Sequence, residues 1–165
     1  MTKRSFKVST FTPVAVADAA NFTDAGYMAI QGGTTTQKTQ ISEVYLGGQA
    51  GASSPSLMIL ARDSTIGVTL TALSTGNSDA PIDPFGTALS SPAVPFVAST
   101  TKPQRSATLH LLHPALNTYG GICRWTATPD EEFNVVGNTA SLGEVSLSSI
   151  TGTGKSSGHL QYEVC

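Results

Sequence analysis

His110 and His113 stand three residues apart just ahead of Pro114, and closely spaced imidazoles are what a transition-metal site is built from. On an extended strand, however, side chains three apart leave from opposite faces, and no cysteine or carboxylate lies close to the pair in sequence. The two are read as ordinary histidines at a strand end, with no metal bound, and His159 as a surface residue. Gly154-Lys155-Ser156 matches the tail of the phosphate-binding pattern G-x-x-x-x-G-K-[ST]. The first glycine of that pattern falls on Ser149, and the residues after Ser156 alternate like a strand, whereas the motif needs a helix N-terminus facing phosphate. The segment reads as a glycine-rich hairpin turn. Glu131 and Glu132 are a pair of carboxylates of the kind general acid/base catalysis uses. Neighbours on an extended chain face opposite ways, so these two predict a solvated acidic loop. Asp79 and Asp83 lack the dense oxygen spacing of a calcium loop. Serine, histidine and aspartate all occur, but no G-x-S-x-G turn singles out a nucleophile. No catalytic, cofactor-binding or metal-binding residue is assigned, and the chain is read as a non-enzyme.

The elements that would carry these residues are strands. Leu160, Tyr162 and Val164 alternate with His159, Gln161 and Glu163 up to the final Cys165, the period-two pattern of a strand with one buried face. Further strands are predicted over residues 27–30, 39–46, 56–62, 66–73, 94–99, 107–112, 121–127, 132–136, 145–150 and 158–164. Turn formers separate them: Gly32-Gly33, Gly47-Gly48, Pro103, Pro114, Pro129, Gly137-Asn138 and the glycines from Gly152 to Gly154. Many short strands with this punctuation predict an all-β fold, an antiparallel β-sandwich or jelly-roll-like barrel. Gly120-Gly121 predicts a tight entry to a central strand in which Trp125 is buried and Arg124 projects to the other face. Gly143 predicts another strand entry. The irregular stretch of residues 74–93 is long enough to predict a subunit contact or an exposed tip.

Residues 1–21 read as an extended N-terminal arm. Lys3, Arg4 and Lys7 lead to Pro13 and an alanine-rich stretch that predicts a short helix from about Ala15. Large apolar residues are too few there for the arm to bury itself, so it is expected to lie on another surface, including docking in trans. The basic start imitates a signal peptide, but Lys7, Thr10, Thr12 and Pro13 interrupt its apolar region. Residues 22–165 are expected to form a single β domain.

Charged residues are 12% of the chain, about half the usual share. Serine and threonine approach roughly a quarter of the chain, so the surface is rich in hydroxyls. Such a surface sits against neighbours without stripping water from ions, which favours association. Nine Lys and Arg against eleven Asp and Glu leave no basic face for nucleic acid. The longest apolar run, at residues 57–61, has the length of a buried strand and not of a membrane span. Two cysteines, Cys123 and Cys165, are too few for a disulfide framework. Cys123 is in phase with Trp125 and reads as a buried free thiol, whereas Cys165 lies on the opposite phase from Tyr162 and Val164.

Four stretches carry a resemblance. They are G-G-I-C-R-W-T-A-T-P-D-E-E-F-N-V-V-G-N from Gly120, M-A-I-Q-G-G from Met28, E-V-Y-L-G-G-Q-A from Glu43 and L-A-R-D-S-T-I-G-V-T from Leu60. With G-E-V-S-L-S from Gly143 and the closing T-G-T-G-K-S-S-G-H-L-Q-Y-E-V, the chain resembles small virion structural proteins of tailed bacteriophages. Among these it is most similar to capsid decoration, or cement, proteins. That resemblance implies a β-rich protein made in the host cytoplasm and placed on the outer capsid surface of the virion. There it would form a homo-oligomer, a trimer, and clamp the major capsid protein without catalytic residues, cofactor, membrane or direct nucleic-acid contact. A tail or fibre position is the first alternative. A carbohydrate-binding β-sandwich is the second, for which Tyr45, Tyr119, Trp125 or Tyr162 would have to stack on sugar.

Overall fold

A computed structural model describes residues 4–10, 27–33, 38–72, 80–81, 94–101, 103–152 and 156–164. Among these residues every regular element is a strand: β1 (Arg4–Thr10), β2 (Tyr27–Gln31), β3 (Lys38–Gly48), β4 (Pro55–Thr65), β5 (Val68–Ala72), β6 (Ala80–Pro81), β7 (Val94–Thr101), β8 (Gln104–Leu112), β9 (Ala115–Asn117), β10 (Ile122–Thr126), β11 (Phe133–Val136), β12 (Glu144–Thr151) and β13 (Ser156–Val164). All ten strands expected from the alternation are present, and β1, β6 and β9 are additional. The strands form two antiparallel sheets. The first runs β10-β3-β13-β1-β6 with β11 also on β3, and the second β5-β7-β2-β12-β4-β8 with β9 also on β4.

The inward faces follow from the period of two. In the first sheet Leu160 lies opposite Val44, Tyr162 opposite Ile41, Cys123 opposite Leu46 and Phe133 opposite Ile41. In the second, Val145 and Leu147 on β12 lie opposite Ile30 and Met28 on one side, and Leu147 lies opposite Leu60 on the other. These side chains form one apolar cluster, with Tyr162, Ile30, Ile41, Leu60 and Leu160 among its largest fully buried members. Burying such residues stabilises the fold at about 25 cal/mol per Å² of apolar surface, and truncating one to alanine costs about 2–5 kcal/mol.

Connections differ from the sequence reading at two places. β12 lies in the second sheet and β13 in the first, so the glycine-rich stretch between them joins two layers and is not a hairpin turn. Among the described residues β10 lies at the edge of the first sheet, paired with β3 alone, so the strand after Gly120-Gly121 is not central there. Its two faces are as expected: Trp125 packs inward, stacked on Phe133 with ring centroids 4.3 Å apart, while Arg124 points outward. Gly143 is a strand entry because no side chain fits there. A Cβ at this position would lie 2.3 Å from the Thr139 amide nitrogen, inside the turn that joins β11 to β12.

Arg4–Thr10, within the segment read as an arm, pairs with β13 over its whole own length, from Arg4 opposite Val164 to Thr10 opposite Gly158. The helix expected from about Ala15 lies outside the described residues, as do Asp79, Asp83 and most of the long loop of residues 74–93. Within that loop Ala80 and Pro81 pair with Lys7 and Phe6. Cys123 is a free thiol, and Cys165 lies outside the described residues.

Candidate functional site

Three polar clusters are brought together by strand register. The first sits on the outer face of the first sheet, and a bulge creates it. β3 and β13 are in step from Ser156 to Gln161, then slip so that Gln161 faces Glu43 while Tyr162 faces Ile41. Ser42 is the extra residue, and its Oγ donates to the Gln161 carbonyl at 3.3 Å. The slip lets Ile41 and Val44 share the core face and sends Glu43 outward, the re-aiming that bulges are used for. There Glu43 Oε2 accepts from Arg124 Nη2 at 2.5 Å and Nε at 3.0 Å, and Oε1 meets His159 Nε2 at 2.6 Å. The His159 ring stacks on Tyr45 with centroids 5.1 Å apart. The hydrogen bond from His159 holds the Glu43 carboxyl below its ordinary range, with Arg124 adding to it and partial burial opposing both. His159, expected as a plain surface residue, is a working member of this cross-strand brace.

The second cluster lies on the face of the second sheet turned away from the apolar cluster. Glu144, Ser146 and Ser148 alternate with the inward Val145 and Leu147, and all five are buried. Glu144 is opposite Gln31, and Ser146 is flanked by Ala29 and Ala61, small residues that leave room for polar side chains. Asp63 extends the row on β4 and is also fully buried. Glu144 accepts from the Gly67 amide, 3.1 and 3.0 Å from its two oxygens, and from Gln31 Nε2 at 2.8 Å. Asp63 Oδ1 accepts from Ser146 Oγ at 2.6 Å, while its Oδ2 is buried with no partner.

That asymmetry locates a proton. Two buried carboxylates side by side cannot both ionise, and the one with fewer donors keeps its hydrogen. A proton on Asp63 Oδ2 turns an unsatisfied acceptor into a donor toward Glu144. Burial pushes the Asp63 carboxyl up to about 9, with the neighbouring Glu144 adding to the rise and Ser146 and Arg105 opposing it. Burial likewise raises Glu144, against the Gly67 and Gln31 hydrogen bonds. Arg105 reaches the same row, donating from Nη1 to Ser148 Oγ at 2.9 Å. Perturbed carboxyls of this kind mark functional sites in many enzymes. Here both are closed off from solvent, so their visible work is to lock β2, β4, β12 and the Gly67 backbone together.

The third cluster is the histidine pair, and it corrects the sequence reading. His110 and His113 do not diverge: His113 Nε2 lies 3.1 Å from His110 Nδ1, with ring centroids 5.0 Å apart. The opposite faces of a strand do not separate them because β8 ends at Leu112. His113 is in the bend before Pro114, where a following proline confines the backbone to extended conformations. The strand itself is also irregular. Ala61 is opposite His110 and Asp63 opposite Arg105, so four residues, 106–109, stand against the single Arg62. Ser106 makes this blister possible. Its Oγ accepts from the amides of Thr108 and Leu109 at 3.2 and 3.1 Å, satisfying groups that the ladder has lost.

The remaining candidates stay apart. Ser156 opens a strand, not a helix, and residues 153–155 before it lie outside the described residues. Glu131 is exposed and accepts from Thr128 Oγ1 within its own turn, in keeping with a solvated acidic loop. Of the four aromatic residues considered for sugar stacking, Trp125 and Tyr162 belong to the core, Tyr45 is covered on one face by His159, and Tyr119 is exposed. Among the described residues no group of three or more His, Cys, Asp and Glu is placed to hold a metal ion. The chain matches no protein-family model and no curated protein.

Proposed function

We propose that this chain is a non-enzymatic structural protein of a phage virion, a head decoration protein that trimerises on the outer capsid surface and braces the major capsid protein. One observation carries the structural part of the reading. Among the described residues the exposed large apolar side chains, Val68, Leu109, Tyr119, Ile122 and Leu142, lie on edge strands or turns at the rim of the two sheets. Rims are where copies of a shell protein meet one another and the lattice beneath, and apolar residues left in water there are the ones a neighbour covers. The phage assignment itself draws on the sequence resemblance. Decoration works by repetition, since modest interface energy per copy is multiplied over many symmetric copies.

The deciding experiment combines two measurements: the solution mass by sedimentation velocity, and rebinding of purified protein to particles that lack it. A trimer that saturates the particles and raises their resistance to heat is the expected result. A monomer that stays monomeric at high concentration and leaves particles bare would end the proposal. Labelling the protein in intact virions separates the shell from a tail or fibre position.

A further inference from the structure

The histidine pair at the end of β8 has a feature that an accidental contact lacks: the outer imidazole is held by the backbone. His110 Nε2 lies 3.1 Å from the Ser106 carbonyl oxygen. A carbonyl only accepts, so Nε2 carries the hydrogen and Nδ1 is left with its lone pair. Metal-ligating histidines are oriented in this way, with one ring nitrogen donating to a backbone carbonyl and the other free for the ion. His113 Nε2 lies 3.1 Å from His110 Nδ1, close enough for one ion to be bound by both once the two exposed rings tilt their lone pairs off the line between them. Both rings are exposed, so an ion can reach them and water can complete its shell.

We propose that His110 Nδ1 and His113 Nε2 chelate one divalent transition-metal ion at the exposed corner between β8 and β9. At the imidazole–metal distance of about 2.0–2.1 Å, nitrogens this far apart subtend about 100° at the ion. That angle lies midway between the right angle of tetragonal Ni²⁺ or Cu²⁺ and the tetrahedral angle of Zn²⁺, and imidazole is a suitable donor for all three ions. The ion replaces the hydrogen between the two rings: His113 Nε2 gives up its proton to Nδ1 of its own ring or to solvent, and both rings bind as neutral ligands. Two protein donors leave the other positions to water, so the ion is exchangeable. The blister at residues 106–109 then has a purpose. It brings the Ser106 carbonyl under His110, which a regular strand would not do.

The test is calorimetric titration of Ni²⁺ into the full-length protein at pH 7.5, beside the variants His110→Ala, His113→Ala, His159→Ala and Cys165→Ser. One saturable site per chain is expected, weakened at least about tenfold in each of the first two variants and unchanged in the last two. Affinity should also fall as the solution is acidified, because protons compete with the ion for the same nitrogens. Both replaced rings are solvent-exposed, and circular dichroism of each variant checks that the fold is kept. An absence of saturable binding would overturn the assignment. So would binding that survives loss of either His110 or His113, or that disappears with Cys165.

Discussion

Glu43 and Glu144 start from the same ordinary carboxyl pKa, both sit on strands with little solvent contact, and their environments move them in opposite directions. The difference lies in their partners. Glu43 faces a guanidinium and an imidazole across two neighbouring strands, at 2.5 and 2.6 Å, so its charge is stabilised. Glu144 is fully buried and receives only neutral donors, so burial disfavours its charge, and the proton of the pair is kept on the neighbouring Asp63. Both clusters tie strands together. One does so as an ion-pair brace at the surface, the other as a proton-sharing pair in a buried layer, and the two should respond oppositely to mutation and pH.

The largest effect is expected from Glu144→Ala. It leaves the Gly67 amide without an acceptor in a buried layer, takes from Gln31 Nε2 one of its two acceptors, the Gly67 carbonyl remaining, and removes the group that Asp63 would donate to. Unsatisfied buried partners and the lost network together should cost about 3 kcal/mol, read as a lower urea midpoint. A change under about 0.5 kcal/mol, the level of an ordinary surface substitution, would show that this layer is open to water and has no bracing role.

Asp63→Asn tests the proton directly. Asparagine keeps an acceptor for Ser146 and presents an amide hydrogen where the protonated acid has its own. In the unfolded chain Asp63 releases its proton near 3.8, whereas in the fold it holds it to about 9. The folded state therefore binds the extra proton across that window. The parent's stability from this group is complete below pH 3.8 and is lost as pH rises toward about 9. Asparagine does not titrate, so the variant should match the parent near pH 4 and gain on it steadily as pH rises, exceeding it by at least about 1 kcal/mol near pH 8.5. Urea midpoints at the two pH values check this, and a variant less stable at the higher pH would mean that Asp63 is ionised in the fold.

What could be read from the sequence divides along the same line. The strands β3, β12 and β13 were legible because each has one apolar face, and the period of two marks it whatever the partner strand is, while β4 was legible as a continuous apolar run of buried-strand length. The three-residue β9 and two-residue β6 are too short to show any period. Neither acid cluster was legible, because each depends on register between strands far apart in the chain. A signal for Asp63 was nonetheless present. It comes after Leu57-Met58-Ile59-Leu60-Ala61-Arg62 in phase with Ile59 and Ala61, and a carboxylate in a two-sided apolar run predicts a buried partner. Glu144 shares its phase with Ser146 and Ser148, a polar row behind an apolar one. The Glu43 brace was hidden by the Ser42 bulge, since unbroken alternation puts Glu43 on the same face as Ile41. For the histidines the rule about faces was sound, but the strand stopped one residue before His113.

Glu43→Gln should have the opposite pH signature from Asp63→Asn. A depressed carboxyl contributes stability above its unfolded pKa of about 4.5, and that contribution disappears as pH falls through the lower folded value. The variant should be less stable than the parent by about 1–2 kcal/mol at pH 7, and the gap should close toward pH 3. A gap that widens in acid would assign the stabilisation to something other than the ionised carboxylate.

Arg124→Ala addresses how much of that brace belongs to the arginine, and the smallest effect is expected here. The Arg124 side chain is 62% exposed against 9% for Glu43, so water and salt screen it and its fixed geometry costs side-chain entropy. His159, with 20% exposure, is better shielded and should carry more of the interaction. A loss of about 0.5 kcal/mol is expected for Arg124→Ala, shrinking further in about 1 M salt, where the screening length is near 3 Å. His159→Ala should cost more and depend less on salt. If the arginine variant proves the more costly of the two at every ionic strength, the brace is held mainly from the β10 edge, and β10 should fray before β13 in hydrogen exchange of that variant.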